Sequence, residues 1–329
     1  MIKIDGSYGE GGGQILRTSI ALSCVTGKSV EIFNIRANRP KKGLAAQHLK
    51  GVEAAKMLCD AEVDGLRIGS TRLVFKPRKT RARDMKIDIG TAGSVTLIFQ
   101  TILPPLLVAD RSCKIEIRGG TDVQWSPSID YFRFVTLKAL EKMGAEAGVE
   151  LIKRGYYPKG GGKVVLRADP SDLKGVAFEK EICDLIRGIS HCSNLPKHVA
   201  ERQAKAAKTF LEEKGYKTEI DLEIQKGLST GSGITLFCGY KGSVSLGEKG
   251  KPAEKVGNEA ASHLYEELQS DATFDRHLAD QIMSFAAIAH GKTVYTTSKI
   301  TKHIVSNAYV INKFFENCVK IDGNRIEIN

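Results

Sequence analysis

The sequence predicts an α+β protein in which a larger domain of recurring sheet-and-helix units is interrupted by a smaller α/β domain. Strand-like and helix-like segments alternate along all 329 residues. Three stretches, 1–60, 67–145, and 150–180 with 270–329, each offer the strands and helices of one unit, although their similarity does not by itself prove duplication. From 181 to 271 a more polar helix lies among short strand-like runs. We therefore predict a large domain of residues 1–180 and 272–329 and an inserted domain of residues 181–271.

The chain begins with a strand that runs through a glycine-rich turn into a helix. Residues 2–5 alternate as a strand does, and apolar residues follow at helical spacing from Ile15. The turn, Gly9–Gly13, carries one carboxylate, Glu10, and Arg17 follows about one helical turn later. Helix N-termini bind anions and glycine lets the backbone approach them, so this is either a phosphate or metal site or only a tight connection. Neither a Gly-Lys-Ser/Thr ending nor a GxGxxG fingerprint is present.

A basic cluster follows the next strand-like segment. Arg36 and Arg39 lie three residues apart before a Pro/Gly loop, and Gln47 comes where the next helix begins. Guanidinium groups bind phosphates through paired hydrogen bonds, and an amide adds a neutral donor. The cluster is therefore either an anion site or a solvated basic loop.

Two polar or irregular positions interrupt apolar sequence further along. Residues 94–103 are apolar on nearly every face, as in a buried helix, yet contain Gln100. Its amide either satisfies a backbone group in the core or faces a ligand. Pro127, two residues after the only tryptophan, is either a turn residue or an apolar wall against a nucleobase.

A helix is predicted to begin at His277. Asp280 and Gln281 lie near its start, where they either read the edges of a base or simply favour the helix dipole. The buried stripe of this helix is Leu278, Ile282, Phe285 and Ala289.

His303 is the histidine most suited to chemistry. Thr301 is predicted to cap the helix that contains it, which places His303 in the first turn. There the helix dipole disfavours imidazolium and keeps a neutral, nucleophilic nitrogen, while the free N–H groups can hold a phosphate. The buried stripe of this helix is Ile304, Ala308, Ile311 and Phe315.

Composition indicates an ordinary globular protein with a basic surface. Hydrophobic residues make up 42% and charged residues 26% of the chain. The 49 Lys and Arg outnumber 38 Asp and Glu, a net charge of +11, which favours a polyanionic partner or reflects solubility alone. No apolar run is long enough to span a membrane and no signal region precedes the first strand, so we expect a cytoplasmic protein without membrane partners.

The cysteines are predicted to be reduced and mostly buried. None has CxxC spacing, which argues against a zinc site and a secreted disulfide framework. One or two disulfides remain an alternative if the source is a hyperthermophile. The seven are Cys24, Cys59, Cys113, Cys183, Cys192, Cys238 and Cys318.

In their order and spacing, these motifs together resemble the RNA 3′-terminal phosphate cyclase family over nearly the whole chain. The matching pieces are Gly9–Gln14, Ile35–Arg39, Gln100, Pro158–Gly162, Leu278–Gln281 and His303. The resemblance implies a large domain of three repeated units, each a four-stranded sheet with two helices, and an inserted smaller α/β domain.

The resemblance also implies an ATP-dependent reaction in three steps. A histidine, here His303, attacks the α-phosphorus of ATP, releases pyrophosphate and becomes covalently joined to AMP. The adenylate passes to the 3′-phosphate of RNA, and the neighbouring 2′-OH then expels AMP to leave a 2′,3′-cyclic phosphate. AMP is a better leaving group than a phosphate oxygen, and the vicinal hydroxyl is already close to the phosphorus.

The family's site residues carry over by position. Glu10 matches its divalent-metal ligand, for Mg²⁺ or Mn²⁺, and Gln100 matches an ATP-site residue. Pro127 matches a wall of the adenine pocket, and His277 stands where relatives often carry tyrosine, which retains stacking but changes its strength and pH dependence. The phosphate contacts are Arg17, Arg36, Arg39 and Gln47. The adenine-side segment is His277, Leu278, Ala279, Asp280 and Gln281.

Two other classes remain alternatives. A ribosome-biogenesis relative of the cyclases lacks the nucleophilic histidine and acts as an assembly factor, and the presence of His303 favours the enzyme. An enolpyruvyl transferase shares the repeated unit, but the single-histidine ATP constellation and the basic charge argue against it. The implied partner is RNA with a 3′-terminal phosphate. Three roles stay open for the inserted domain: binding RNA, forming a homodimer, or bracing the active site.

Overall fold

The computed structural model describes residues 1–329 and confirms a mixed α+β protein. Its strands form four separate sheets, and its helices pack against them. None of the helices combines the length and apolar character that crossing a bilayer requires.

The first sheet is built by the N-terminal quarter of the chain. Its strands run in the order β1-β2-β4-β3, with β1 and β2 parallel and the other pairs antiparallel. Helix α1 ends at Gly27, whose left-handed backbone caps the last turn. The elements are β1 (Ile2–Asp5), α1 (Gly13–Thr26), β2 (Val30–Phe33), α2 (Ala46–Cys59), β3 (Glu62–Asp64) and β4 (Leu73–Lys76).

The second sheet has the same strand order and directions. It runs β5-β6-β8-β7, with β5 and β6 parallel and the other pairs antiparallel. Every residue of helix α3 is buried, as the apolar run predicted, and Ser94 caps its first turn. The elements are β5 (Met85–Asp88), α3 (Val95–Leu107), β6 (Cys113–Gly119), α4 (Ile129–Tyr131), a π-helical turn (Phe132–Thr136), α5 (Leu137–Lys142), β7 (Ala147–Lys153) and β8 (Gly162–Ala168).

A third sheet with its own small core follows. It runs β10-β9-β11-β12, and helices α6 and α7 pack on it around nine buried apolar residues. The elements are β9 (Leu185–Ser193), α6 (His198–Glu213), β10 (Lys217–Gln225), β11 (Gly231–Cys238), β12 (Lys241–Leu246) and α7 (Ala253–Gln269).

The C-terminal elements form a three-stranded sheet, β13-β15-β14. Residues 174–178 lie beside it through parallel bridges at Lys174 and Ala177. The helix predicted from His277 is divided at Ile282 into two short helices, where the Phe285 N–H bonds to the Ile282 carbonyl three residues back. The elements are α8 (Leu278–Gln281), α9 (Met283–Ala286), β13 (Thr293–Thr296), α10 (Lys302–Phe314), β14 (Val319–Asp322) and β15 (Arg325–Ile328).

Helix α1 joins the two ends of the chain. It packs against α2, α3 and α10 within the larger core of 64 buried residues. The glycine turn before α1 and the first turn of α10 therefore lie side by side, which is the arrangement that forms the site described below.

The cysteines are mostly reduced and buried, as predicted, and the alternative of a disulfide applies to one pair. Cys183 and Cys238 form a disulfide between the segment entering β9 and the end of β11. Pairing depends on three-dimensional proximity, which cysteine spacing does not encode. The other five cysteines are free and buried.

Candidate active site

The N-terminal turn and α10 meet at Glu10. Its Oε2 lies 2.7 Å from Nε2 of His303, and Arg39 donates through Nη2 to its Oε1. One carboxylate thus contacts two cationic or potentially cationic groups from distant parts of the chain. The predicted metal ligand, one predicted phosphate-binding arginine and the predicted nucleophile are brought together.

The glycines of the turn make this approach possible. Gly11 has φ +62°, and a Cβ there would lie 2.3 Å from the side-chain nitrogen of Asn38. A Cβ on Gly12 would lie 2.9 Å from Arg39 Nη2. At Gly11, both the positive φ and the approach of Asn38 disfavour a side chain, so this glycine allows the turn to lie against the loop that contains Arg39.

His303 occupies the first turn of α10, as predicted. Thr301 caps this helix by accepting a hydrogen bond from the Ile304 N–H. Burial lowers the pKa of His303, but the Glu10 contact and the Asp280 charge outweigh it, so the pKa lies above the ordinary value. The two carboxylates thus act against the helix dipole, which is expected to keep this imidazole neutral, and the neutral form stays a prediction.

The two imidazole nitrogens of His303 have different surroundings. Nε2 faces Glu10, whereas Nδ1 is buried without a hydrogen-bond partner. His303 in turn lowers the pKa of Glu10, with the charges of Arg39 and Arg17 acting in the same direction. Glu10 is therefore ionised at neutral pH.

Arg17 is buried in a network of amides. Its Nε donates to Gln100 Oε1 at 2.9 Å, and its Nη2 donates to Gln14 Oε1 at 2.5 Å. Burial lowers the pKa of Arg17 to about 10, which leaves it charged at neutral pH. The amide carbonyl of Gln100 therefore orients the Arg17 guanidinium. A contact between Gln100 and a ligand would come in addition to this contact within the protein.

Asn307 completes this network, although no motif singled it out. Its Oδ1 accepts hydrogen bonds from Gln14 and Thr18, and its Nδ2 donates to the Asp280 carbonyl at 2.8 Å. The sequence does contain one indication of this role: Asn307 lies four residues after His303 and so on the same face of α10.

The remaining basic cluster lies at the start of α2. Arg36 is half-buried and donates to the Gly43 carbonyl, while Gln47 accepts a hydrogen bond from the Ser94 N–H at 3.0 Å. His48, which was also missed, is buried, and burial with the Arg17 and Arg36 charges lowers its pKa to about 3. A neutral imidazole therefore lies among these arginines.

The segment from His277 to Gln281 divides between core and site. His277 is exposed, whereas Leu278 and Ala279 are buried in the core. Burial raises the pKa of Asp280 to about 6, against the charges of His303, His277 and Arg17. Gln281 accepts from Thr136 Oγ1 and donates to the His277 carbonyl, so its side chain is already bonded within the protein.

Pro127 lies outside this hydrogen-bonded group. Its carbonyl accepts from Thr96 Oγ1 at 2.8 Å, which fixes its loop against α3. Thr96 and Gln100 lie four residues apart on that helix and so share a face.

A second polar cluster is buried elsewhere. Ligand atoms of Asp122, Asp130 and His191 lie within 4.8 Å of one another. Arg154 is already bonded to both carboxylates, at 3.3 Å to Asp122 and 2.6 Å to Asp130, and it also pairs with Glu223 of β10. Because the guanidinium supplies the positive charge, this cluster is an ion-pair network linking the second sheet to the third, rather than a match for the predicted Glu10 metal site.

Comparison with known proteins identifies the family of this chain. A sequence model of the family described as RNA 3′-terminal phosphate cyclase matches residues 8–321. A curated protein named RNA 3′-terminal phosphate cyclase from Archaeoglobus fulgidus is 64% identical over 328 residues, covering 100% of both chains. Proteins of the same name from Methanococcoides burtonii and Pyrobaculum aerophilum are each 51% identical over 322 residues, covering 98% and 95% of this chain and 97% and 92% of theirs. The chain belongs to the RNA 3′-terminal phosphate cyclase family and is an enzyme of that family, as the order of its motifs predicted.

Proposed function

We propose that this enzyme uses ATP to convert an RNA 3′-terminal phosphate into a 2′,3′-cyclic phosphodiester. The single observation that carries the proposal is the position of His303 Nε2, 2.7 Å from one oxygen of Glu10 whose other oxygen contacts Arg39, in a chain of this family. A nucleophile, a carboxylate and arginines are what adenylyl transfer requires.

In the first step, His303 Nε2 forms a bond to the α-phosphorus of ATP as the bond to pyrophosphate breaks. The RNA 3′-phosphate oxygen next takes the adenylyl group from Nε2. The 2′-oxygen then attacks the RNA phosphorus, loses its proton and displaces AMP. Nε2 is the better candidate for attack because Nδ1 is buried, whereas Nε2 faces Glu10, the proposed cation ligand.

Attack by Nε2 requires its lone pair, whereas the Glu10 carboxylate alone favours the protonated ring. A cation bound at Glu10 would compensate the carboxylate charge and so favour neutral imidazole. Glu10 therefore has two linked tasks, holding a cation and controlling the charge of His303.

The donor set at Glu10 suits Mg²⁺ or Mn²⁺. Such hard ions bind one or two protein carboxylates together with substrate phosphates, and Glu10 offers an ionised carboxylate among phosphate-binding residues. When bound, the ion would help to neutralise charge on the departing pyrophosphate.

The phosphates of ATP and RNA are assigned to the arginines and amides around Glu10. Arg39 and Arg17 supply charge, and Gln14, Gln100 and Asn307 orient Arg17. Arg36, in the loop between β2 and α2, and Gln47, in the first turn of α2, extend the site. For the adenine we propose Pro127 and the segment His277, Leu278, Ala279, Asp280 and Gln281, with His277 as the exposed stacking ring.

We also assign the architecture of three repeated units and one inserted domain, residues 181–271. The shared strand order of the first two sheets supports the repeat, and residues 174–178 supply a short fourth strand beside β13. The separate core around α6 and α7 supports the insertion.

Labelling with ATP tests this function. Wild-type protein incubated with α-labelled ATP and Mg²⁺ or Mn²⁺ is expected to retain label through denaturing electrophoresis, and RNA with a 3′-phosphate should then discharge it. His303→Ala should not be labelled, whereas His263→Ala, which changes an exposed histidine on α7, should be. Label on neither wild type nor control, or equal label on all three, would refute the mechanism.

A further inference from the structure

Three large apolar side chains are exposed on neighbouring loops. Trp125, the only tryptophan, is 93% exposed, Tyr157 is 77% exposed and Leu228 is 62% exposed. Exposed aromatic groups of this size in one region mark an interaction surface more often than chance.

The backbone at Trp125 strengthens this interpretation. Its φ is +60°, in the left-handed region that a bulky side chain rarely adopts. The chain thus accepts backbone strain at a residue whose indole ring lies almost wholly in solvent. Strain of this kind persists where the surrounding structure imposes it, commonly at functional sites.

Backbone contacts join the three loops into one surface. The Gly155 carbonyl, two residues before Tyr157, accepts hydrogen bonds from Thr121 and Asp122 at the start of the Trp125 loop. On the other side, the Lys159 N–H donates to Ser229 Oγ at 3.0 Å. A Cβ on Gly161 would lie 2.5 Å from the Leu228 side chain, so these two loops are in direct contact.

This surface continues into the candidate active site. A Cβ on Gly160 would lie 2.6 Å from the Thr91 carbonyl, which places the Tyr157 loop against the turn before α3. The same turn contacts the active site, because the Ser94 N–H donates to Gln47. From Gln47 the surface therefore leads outward to the exposed rings.

The surface formed by these three loops carries positive charge. Lys159 and Lys226 are exposed and form no ion pair, and the nearby Asp122 carboxylate is paired with Arg154. The exposed Glu248 carboxylate accepts a hydrogen bond from the neutral amide of Gln124 and keeps its negative charge, which the two lysines outnumber. Free cations beside exposed rings are the combination that binds single-stranded nucleic acid, with phosphates on the lysines and bases on the rings.

We propose that Trp125, Tyr157, Leu228, Lys159 and Lys226 form a stacking surface for the nucleotides that precede the 3′-phosphate of the RNA. This inference rests on the proposed function, because the 3′-phosphate at Glu10 and His303 sets which nucleotides reach the surface. Stacking uses the faces of bases, so recognition here is tolerant of sequence and sensitive to strand length.

Tryptophan fluorescence offers a direct test, since Trp125 is the only tryptophan and therefore the only source of indole fluorescence. Titration with a single-stranded RNA of about ten nucleotides ending in a 3′-phosphate should quench this emission and give a dissociation constant. A dinucleotide with the same end should bind more weakly, because it leaves the outer part of the surface empty.

Without the aromatic rings, the longer RNA should no longer bind more tightly than the dinucleotide. We expect Trp125→Ala and Tyr157→Ala each to weaken binding of the longer RNA, measured by anisotropy of labelled RNA, about 5- to 150-fold. Trp125→Phe and Tyr157→Phe should retain much of the affinity because a ring remains. Ile182→Ala, which removes an exposed apolar side chain lining a different cleft, should leave the affinity unchanged.

Melting curves of each variant confirm folding. Absence of quenching by the longer RNA, or ring removals that change its affinity less than twofold in folded protein, would overturn the stacking surface. The function is judged separately by adenylation of wild-type protein with ATP alone. Quenching without adenylation would refute the cyclase mechanism and leave the RNA surface supported.

Discussion

Glu10 lies between two groups that compete for its charge. One carboxylate oxygen contacts Arg39 and the other contacts His303, so a change at Glu10 should affect both the proposed metal site and the protonation of the proposed nucleophile. In the proposed mechanism, both functions depend on this single carboxylate.

Glu10→Gln should separate charge from size. The amide is nearly the same shape but is a poor ligand for Mg²⁺ and does not hold a proton on His303. We expect adenylation to fall by at least about 100-fold, with a melting temperature close to that of wild type. The control is Glu31→Gln, which changes a carboxylate on β2 that pairs with Arg72; this variant should retain adenylation. An unchanged response to metal titration in Glu10→Gln would contradict the ligand role.

Asp280 should make the folded state less stable as pH rises. Burial raises its pKa from 3.8 to about 6 in the folded protein. Below pH 3.8 the group is protonated in both states and costs nothing; above pH 6 it is ionised in both and the full cost is present. Asp280→Asn should thus raise the free energy of unfolding at pH 8 by on the order of 3 kcal/mol, and much less at pH 4. Denaturant titrations at both pH values measure this, and an equal effect at both would contradict it.

At the scale of elements, local pattern predicted the parts of the site that lie on one helix or turn. Thr301 caps α10, α3 is wholly buried, and the glycines precede α1 as expected. The sequence did not predict His48, because its low pKa arises from arginines that reach it only after folding. The upward effect of Glu10 and Asp280 on the pKa of His303 was not predicted either, since both carboxylates approach it from other elements.

The Cys183–Cys238 disulfide is an element-scale feature that sequence spacing left open. It closes a loop of 55 residues, and such a loop is expected to stabilise the folded state by about 4 kcal/mol through the unfolded chain. Replacing both cysteines by serine should lower the melting temperature, and reducing agent should lower that of wild type but not of the double variant. A melting temperature insensitive to reductant in wild type would contradict the bond. Cys113→Ser serves as a control for a buried free thiol.

At the scale of the whole molecule, the third sheet is joined to the second through a buried ion-pair network. Arg154 is 1% exposed in its side chain and bonds to Asp122 and Asp130 of one region and to Glu223 of the other. No local pattern predicted it, because its members come from three distant segments that meet only in the folded chain.

Arg154→Leu should show how much this junction depends on charge. Removing the guanidinium leaves two buried carboxylates without a cation, which is expected to cost about 3–5 kcal/mol of folding free energy. Arg202→Leu, which breaks an exposed pair with Glu254, should have no measurable effect. Chemical denaturation compares the two, and similar stabilities would show that the buried network is not required.

Peptide mapping by mass spectrometry identifies the residue that carries the adenylyl group, which the proposed mechanism places on His303. Protein treated with ATP and Mg²⁺ is digested under conditions that preserve phosphoramidates, and the peptide that gains the mass of AMP is sequenced. We expect the adduct on His303 in wild type and its absence from His303→Ala. An adduct on another residue, or one that persists in His303→Ala, would contradict it.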